Sequence, residues 1–579
     1  MFNYTLKGQG LDVVDTVLSN RGLTLEQANL IMKATFEDSN LNASDLKNID
    51  KACEMLNDAL KKCFKIGILI DSDCDGYCAS ATLYSYLTNE VGYSNVLYKF
   101  HDEPKAHGIK EYVVNWVKEE GIKLLIIPDA GCGLSDKEGE EVLSDLGVNI
   151  IILDHHIPEY VSRETTIIVN PHQNEDKYLN KYLSGTGVTH KFIEYHLGIN
   201  NKSNSNKELY EDLVALSLVS DMMNLRDSLE NRAYINLSAR NIKSPFIYEL
   251  LSDKKEVTIE DLGFVVAPLI NATVRFGNEE EKNLIFNSLF REDTIPSNKR
   301  GMVGKPTSMS SEAIRIANNL RRKQNKERDR GVERVSNIIK EQGLDNNKVI
   351  MVIVDDDILD GSISGLVANR LVNEYNKPIM LLRVTEDSTL AGSTRTVNSN
   401  SKLKNFKSMC LETGLFEYCS GHEGSFGACI TVDNFEKANK VFNEILKDVE
   451  SDNSYEIDGI YEGKIPQSDI SSIIEFEKLW CFDIKEPLFL VKGIKINTND
   501  IKKVGNATYT FNFNKTMFTK FYASKVWFSN FKLEDELPFG GDIEVELICR
   551  FRNTKGERKE MQIAEIVDAI CKVNYEYDF

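Results

Sequence analysis

Six residues carry the most concentrated chemistry of this chain: Asp71-Ser72-Asp73-Cys74-Asp75-Gly76. Three carboxylates at alternate positions repel one another strongly if left bare, and a divalent cation removes that cost. The spacing also fits a calcium loop, which needs a bidentate glutamate six residues after the glycine. That position holds Thr82, which argues against calcium storage. A solvated acidic turn is the plainer alternative. Further carboxylates stand in Pro128-Asp129-Ala130-Gly131 and in Asp154-His155-His156. An isolated Asp-Gly neighbourhood is ordinary turn chemistry. The histidine pair is not, because the chain has eight histidines and two of them adjoin here, directly after an aspartate. Imidazole with carboxylate suits Mn²⁺, Fe²⁺ or Zn²⁺ better than Ca²⁺. Asp221 follows the apolar run 213–219, where a single aspartate can also simply end a helix. Together these residues supply five or six carboxylates and one or two histidines. That suffices for two ions roughly 3.5–4 Å apart, the arrangement that activates water for in-line attack on phosphorus.

Buried strands must hold these groups. Ile66-Gly67-Ile68-Leu69-Ile70, Leu124-Leu125-Ile126-Ile127 and Ile150-Ile151-Ile152-Leu153 are short continuous apolar runs. Each leads into an aspartate: Asp71, Asp129 after one proline, and Asp154. Helical patterns at 79–87, 112–119 and 136–146 alternate with them, which predicts an α/β fold with a parallel sheet. Ligands of such sheets lie beyond the carboxyl ends of the strands, so the three acids converge on one edge. Gly76 is expected to let the chain turn into the next helix. Residues 1–65 read as a helical segment and 66–300 as the first α/β domain. Residues 301–345 form a polar loop and a long charged connecting helix, at 311–342. Residues 346–454 form a second α/β domain, and 455–579 a β-rich domain. Tyr509, Phe511 and Phe513 alternate along one strand of the last, and Ile543, Val545 and Leu547 along another.

The length of 579 residues exceeds what one core of roughly 250–300 residues organises. No apolar run reaches the roughly 18 residues of a membrane span, and Met1-Phe2-Asn3-Tyr4 starts no targeting signal. Eleven cysteines without zinc spacing, Cys74 and Cys78 the closest pair, suggest reduced, mostly buried thiols of a cytoplasmic protein. The net charge of −20 sits awkwardly with a nucleic-acid partner. Its distribution is more permissive. Residues 492–532 carry eight lysines (Lys492, Lys495, Lys502, Lys503, Lys515, Lys520, Lys525, Lys532) against Asp500 alone. Tyr509, Phe511, Phe513, Phe518, Phe521, Tyr522, Trp527, Phe528 and Phe531 are interleaved with them. This is the composition of an oligonucleotide-binding (OB-like) barrel, with lysines on phosphates and aromatics stacked on bases. For each aromatic the alternative is the barrel core. Lys503, Lys515 and Lys520 are the candidate contacts. Residues 321–334 are also basic, as a solvated helix face or the lining of a strand channel. Binding confined to such a groove predicts strong salt sensitivity.

The ordered motifs at 71–76, 128–131, 153–156 and 219–221 resemble those of the DHH phosphoesterase superfamily. Within it the chain resembles the RecJ single-strand-specific exonucleases along nearly its whole length. The resemblance extends through Asn20-Arg21-Gly22-Leu23, Asn170-Pro171, Gly185-Thr186-Gly187-Val188, the run from Asp212 to Asp221, Glu230-Asn231-Arg232, and Pro268-Leu269-Ile270-Asn271-Ala272 with Arg275. In the second α/β unit, Gly365-Leu366-Val367-Ala368-Asn369-Arg370-Leu371 resembles the DHH-associated domain. Gly392-Ser393-Thr394-Arg395-Thr396 and the stretch from Ser420 to Gly427 continue it.

This resemblance implies a 5′-to-3′ exonuclease that hydrolyses single-stranded DNA to mononucleotides in repair, recombination or replication. Asp71, Asp73, Asp75, Asp129, His155 and Asp221 would hold two Mn²⁺ or Mg²⁺ ions. Asp154 would orient a histidine, and His156 would lie close to the attacking water and the scissile phosphate. Arg275 and Asn271 would face the reacting phosphate, and Ser393 and Arg395 would hold the 5′-terminal one. Arg370, Gly421 and His422 would line the same side of the second domain. The implied partners are single-stranded DNA and, among proteins, a single-strand-binding protein or a helicase. The implied enzyme is a monomer with no membrane attachment. The chain departs from the family pattern in places. Phe426 stands where backbone should pass close to substrate, which predicts a reshaped pocket. Ile358-Leu359-Asp360 replaces a Trp-His pair. Lys105-Ala106-His107-Gly108 replaces a Glu-Gly-Tyr-Gly run, and the arginine expected before it is missing, with His101 or Lys105 as substitutes. The competing functions are a phosphodiesterase for nanoRNA or cyclic dinucleotides, and a catalytically silent binding module.

Overall fold

The computed structural model describes residues 2–8, 10, 12–39, 41–103, 106–200, 210–385, 387–397, 403, 405–449, 454–505, 507–521, 523, 541–554 and 561–573. By compactness the chain divides into two units. One comprises 41–223 and 237–452, the other 1–40, 224–236 and 453–579.

The larger unit holds a five-stranded parallel sheet. Its strands are β1 (Ile66–Ile70), β2 (Val96–Phe100), β3 (Leu124–Pro128), β4 (Asn149–Leu153) and β5 (Thr166–Val169), in the order β2-β1-β3-β4-β5. Every residue of β1 and β3 is buried, as continuous apolar runs require when helices cover both faces. On one face Ile66, Ile68, Ile126 and Ile151 pack with Ala52 and Leu56 of helix Ile49–Lys61. On the other, Leu69, Leu125, Ile127 and Ile152 pack with Val113, Val117 and Leu143. Helix α1 (Cys74–Ser85) follows β1 and is buried almost all round. Helices α2 (Gly185–Ile199), α3 (Glu211–Ser220) and α4 (Ala267–Phe276) complete the site region.

Helix α5 (Met309–Glu341), 33 residues and about 50 Å long, leads to a mixed sheet of β6 (Ile350–Ile353), β7 (Ile379–Val384), β8 (Thr389–Arg395), β9 (Phe416–His422) and β10 (Ser425–Thr431). Its order is β9-β10-β8-β7-β6, with α6 (Ser364–Tyr375) after β6. Most basic residues of α5 serve local bonds. Arg321 donates to the Phe264 carbonyl, Arg328 pairs with Asp329, and Arg330 pairs with Glu327. This favours the solvated-face reading. The expected loop before α5 contains a hairpin instead, Thr294–Pro296 with Pro306–Ser308.

One expectation is corrected here. Phe426 does not reshape a pocket. It is buried at 2% exposure in the core of the second sheet, with its ring 6.1 Å from Phe406. Strand alternation puts Phe426 on the face opposite its neighbours Ser425 and Gly427.

The smaller unit is β-rich. It contains β11 (Gly459–Glu462), β12 (Phe489–Asn497), β13 (Lys502–Val504), β14 (Thr508–Phe513), β15 (Thr516–Lys520), β16 (Asp542–Thr554) and β17 (Met561–Val573). They pair in the order β11-β12-β16-β17-β15-β14-β13. Pairing among the described residues makes this an open seven-stranded order, so barrel closure stays an expectation. A short strand, Tyr4–Leu6, pairs with Tyr455–Ile457, and so the first residues join this unit rather than the parallel sheet. Arg21 holds Asp458 through two hydrogen bonds, at 2.8 and 3.0 Å. The fully buried Arg232 donates to the carbonyls of Leu225, Lys478 and Leu479. Two of the family-like motifs are therefore clamps of this unit. Phe511 and Phe518 stack at 5.2 Å in its core, with Phe513 packed beside them. The aromatic alternation of β14 thus marks an inward face, not a stacking platform. Lys503 and Lys515 are exposed, whereas Lys520 is half-buried and donates to the Val567 carbonyl at 2.6 Å. Lys525, Lys532, Tyr522, Trp527, Phe528 and Phe531 lie outside the described residues.

Candidate metal centre and phosphate site

The chain runs from β1 outward to β2 and returns on the other side as β3. The carboxyl ends of β1 and β3 therefore flank a switch point, where an open α/β sheet leaves a crevice. Asp71 and Asp129 are the residues that follow these two strands, and Asp154 follows β4. Asp73 caps α1 by accepting the Gly76 N–H at 3.0 Å. Gly76 acts differently from expectation: a Cβ there would fall 2.5 Å from Asp71 Cβ, so it permits close packing of α1 on Asp71. Asp75 is fully buried. It accepts the N–H groups of Gly185 (2.7 Å) and Thr186 (2.8 Å) and the Thr186 hydroxyl (2.5 Å), at the positive end of α2. Asp221 sits at the carboxyl end of α3, where the helix dipole opposes a negative charge, so simple helix termination does not account for it.

Asp129 has the left-handed backbone, φ 66°. Non-glycine residues occupy that region at a cost, and such outliers cluster at functional sites. His155 Nε2 lies 3.2 Å from Asp129 Oδ1, and 3.8 Å from both Asp75 Oδ2 and Asp221 Oδ2. Three groups of donor atoms gather here, and Asp129 is in each. One of them, Asp129 with Asp154, His155 and His156, draws on the Asp154 carboxylate that is committed to the histidine pair, which leaves two ligand sets. Donor atoms of Asp75, Asp129, His155 and Asp221 lie within 4.8 Å of one another, and so do those of Asp71, Asp73 and Asp129. Asp129 belongs to both.

These residues fit divalent cations. Both Asp129 oxygens and Asp71 Oδ1 are buried without a hydrogen bond, a costly state that a cation relieves. Burial, reinforced by Asp75 and Asp73, pushes Asp129 well above the usual carboxylate range. Burial and Asp73 push Asp221 up in the same way. Asp75 is raised to about 6 by burial and by Asp73, against the hydrogen bonds from Thr186 and Gly185. The bare cluster cannot hold all its charges at neutral pH, whereas a cluster with bound cations can.

Asp154 serves the histidine pair. Its Oδ1 accepts the N–H groups of His155 (2.7 Å) and His156 (3.1 Å) and the His156 ring at Nδ1 (2.8 Å). Burial alone would raise this carboxyl, but the charge and hydrogen bond of His156 outweigh it and hold it well below the usual range. His156 is half-exposed beside the ligand sets. Asp154→Asn keeps the shape and loses the charge that orients His156. Its expected effect is a fall of about 10–100-fold in turnover, checked by Mn²⁺-dependent nucleotide release.

Two arginines stand nearby. Burial lowers the Arg275 pKa, offset in part by Asp73. Burial brings Arg395 down to about 10, with Arg275 contributing. Neither has an ion-pair partner among the described residues. Two desolvated guanidiniums in mutual repulsion call for an anion, and phosphate matches their geometry. A Cβ at Gly365 would fall 2.5 Å from the Arg395 guanidinium, so that glycine admits the arginine to the start of α6. Ser393 Oγ lies 2.8 Å from Ser364 Oγ. Arg395, Ser425 and His422 form one cross-strand row, and Ser393, Gly427 and Ser420 the next. The His422 side chain lies outside the described set. Asn271 is one turn from Arg275 on α4. Gly421 pairs with Phe426, off these rows. Arg370 is exposed about 140° around α6 from Gly365, away from Arg395.

His107 was missed by sequence reasoning as a site residue. Its Nδ1 lies 2.6 Å from Asp71 Oδ2. His101, an expected substitute for the missing arginine, is buried with Nδ1 2.6 Å from the Tyr112 hydroxyl, and Lys105, the other, lies outside the described residues. Gly185 and Thr186 were visible as a motif, but their grip on Asp75 was not.

The DHH family, N-terminal domain, matches residues 65–218, the parallel sheet with its motif acids. A putative SPbeta prophage-derived single-strand DNA-specific exonuclease, YorK, of Bacillus subtilis is 33% identical over 512 residues, 86% of each chain. The single-stranded-DNA-specific exonuclease RecJ of the same organism is 24% identical over 85% of this chain and 60% of its own length. In fold, the chain is similar to a crystal structure of RecJ in complex with Mn²⁺ from Thermus thermophilus. The TM-score is 0.66 and the identity 18%, over 96% of this chain and 76% of that one. The sheet order and the strand-end acids thus define a DHH-type phosphoesterase. The chain belongs to the RecJ-like single-strand-DNA-specific exonucleases of that family, and is a hydrolase of ester bonds.

Proposed function

We propose that the protein degrades single-stranded DNA from its 5′ end to mononucleotides, using two divalent ions, Mn²⁺ or Mg²⁺. The observation that carries this reading is the pair of ligand sets joined at Asp129, with Arg275 beside Asp73 and Arg395 beside Arg275. Asp75, Asp129, His155 and Asp221 would hold one ion, and Asp71, Asp73 and Asp129 the other. Bound there, such ions supply an activated water and offset charge developing on the phosphate oxygens. Arg275 grips the reacting phosphate, and Arg395 with Ser393 holds the terminal one, which sets the polarity. Asp154 fixes His156 at the mouth of the centre, where its ring can hold or pass a proton. Lys503 and Lys515 would follow the backbone of longer strands. The same reading includes a monomeric cytoplasmic enzyme, working beside a single-strand-binding protein or a helicase. No helix among the described residues is long and apolar enough to cross a membrane.

The test uses 5′- and 3′-labelled single strands with the full chain and Mn²⁺. The 5′ label is expected to appear first, as a mononucleotide, with EDTA stopping release and duplex DNA resisting it. Early release of the 3′ label would overturn the polarity, and cleavage confined to very short oligomers would favour the nanoRNA alternative. Deleting 455–579 is a poor test, since it would strip Arg232 of its buried partners. Substituting Lys503 and Lys515 probes long strands more cleanly.

A further inference from the structure

His107 touches the metal centre without belonging to either ligand set. Its Nδ1 lies 2.6 Å from Asp71 Oδ2, with its side chain 57% exposed and that of Asp71 3%. An ionised carboxylate can only accept, so the ring nitrogen there carries the proton. The second Asp71 oxygen, Oδ1, is buried and accepts no hydrogen bond. His101 Nε2 approaches it no closer than 3.7 Å. The Asp71 carboxylate is thus divided: a histidine holds one oxygen, and the other is buried without a hydrogen bond.

The loop is anchored behind this contact. Gly108 has φ +67°, and a Cβ there would fall 1.7 Å from Asp136 Oδ1. Asp136 is buried and accepts the Ile109 N–H at 2.8 Å and the Gly133 N–H at 3.2 Å. A fixed carboxylate therefore sets the two residues that follow His107, and with them the height of its ring above Asp71. No other residue between 101 and 110 is seen to reach an Asp71 oxygen within hydrogen-bonding distance among the described residues.

We propose that His107 is a positioning residue for the metal centre: its Nδ1–H orients Asp71 Oδ2 and leaves Oδ1 to the ion of the Asp71–Asp73–Asp129 set. The inference rests on the two-ion reading above. Partners that orient a ligand typically change metal affinity by about 10–100-fold. Asp71 belongs to one set and not to the other, so the effect falls on one ion. That asymmetry separates positioning from general loss of fold, which would weaken both.

The experiment is a Mn²⁺ titration of the full chain without DNA, with free Mn²⁺ read by electron paramagnetic resonance. Wild type is expected to bind two ions. His107→Ala should weaken one of them about 10–100-fold and leave the other unchanged. In His107→Asn the amide N–H replaces Nδ1–H, and affinity should return toward wild type. Gly108→Ala, which touches no ligand, should weaken the same ion. Two unchanged ions in His107→Ala would overturn the inference and leave the two-ion reading standing. Equal loss of both, unrescued by asparagine, would also overturn it. Fewer than two ions in wild type would overturn the two-ion reading itself.

Discussion

Replacing Asp129 should abolish Mn²⁺-dependent release of nucleotides, a loss of about 10³-fold or more. Asp129 stands in both ligand sets, so its removal affects both ions at once. Metal ions contribute several kcal/mol of transition-state charge stabilisation, and about 4 kcal/mol corresponds to about 10³-fold. Two variants separate charge from backbone. Alanine at φ 66° adds a conformational cost of about 1–2 kcal/mol, whereas asparagine tolerates that region and keeps the shape. Asp129→Asn should therefore fold as wild type does and still lose the reaction. Without metal it should be at least as stable, because a buried carboxylate forced above its usual pKa by burial and by Asp75 is gone. Rates on 5′-labelled single strands and thermal melts in EDTA check both halves. Turnover within a few-fold of wild type would end the shared-ligand mechanism.

What was legible in the sequence followed from local patterns. Continuous apolar runs ending in Asp71, Asp129 and Asp154 announce buried parallel strands, and the rule that ligands lie beyond strand ends gathers those acids without coordinates. The histidine pair stood out because histidine is scarce in this chain. What was not legible depends on direction and on distant contacts. Alternation in Tyr509, Phe511 and Phe513 says that one face is buried, but not whether DNA or the core covers it, and Phe511 stacks inward on Phe518. Phe426 reads as an intrusion in a glycine-rich motif until its register shows the opposite face. Arg21 and Arg232 looked like functional family marks, yet each closes contacts with residues more than 200 positions away. His107 sits in a polar loop with no periodicity to aim its ring, and only the folded chain brings it to Asp71.

The charge puzzle resolves in part by the same route. An overall −20 disfavours a polyanion as partner. Much of the excess at the site is buried, where bound cations would offset it, and Arg275 beside Asp73 has no ion-pair partner among the described residues. Lys520 is tied to the Val567 carbonyl, and most of the basic residues of α5 are tied to neighbouring groups. Phosphate contacts are then fewer than the count of lysines suggests, and the salt dependence of binding should be correspondingly shallower.

Gly185→Ala should cost about 10²-fold in turnover although glycine contributes no side chain to the site. A Cβ there would fall 2.4 Å from Asp129 Oδ1, 2.5 Å from its Cβ and 2.7 Å from its Cα. Contacts below 3 Å with backbone cannot be relieved by a rotamer, so either the Asp129 turn or the first turn of α2 must move. If Asp129 moves, both ligand sets open. If α2 moves, Asp75 loses the N–H groups of Gly185 and Thr186. A displacement near 1 Å in either suffices for a loss of about 10²-fold, and overpacking adds a stability cost of about 1–3 kcal/mol. Gly198 is the control. It lies in the same helix, exposed, with nothing within 4 Å of a Cβ. Gly198→Ala should leave turnover unchanged and raise stability by about 0.5–1 kcal/mol. Both variants are read by nucleotide release, Mn²⁺ stoichiometry and thermal melting. If Gly185→Ala bound two ions and turned over like Gly198→Ala, the close packing of α2 on Asp129 would not be what holds the centre together.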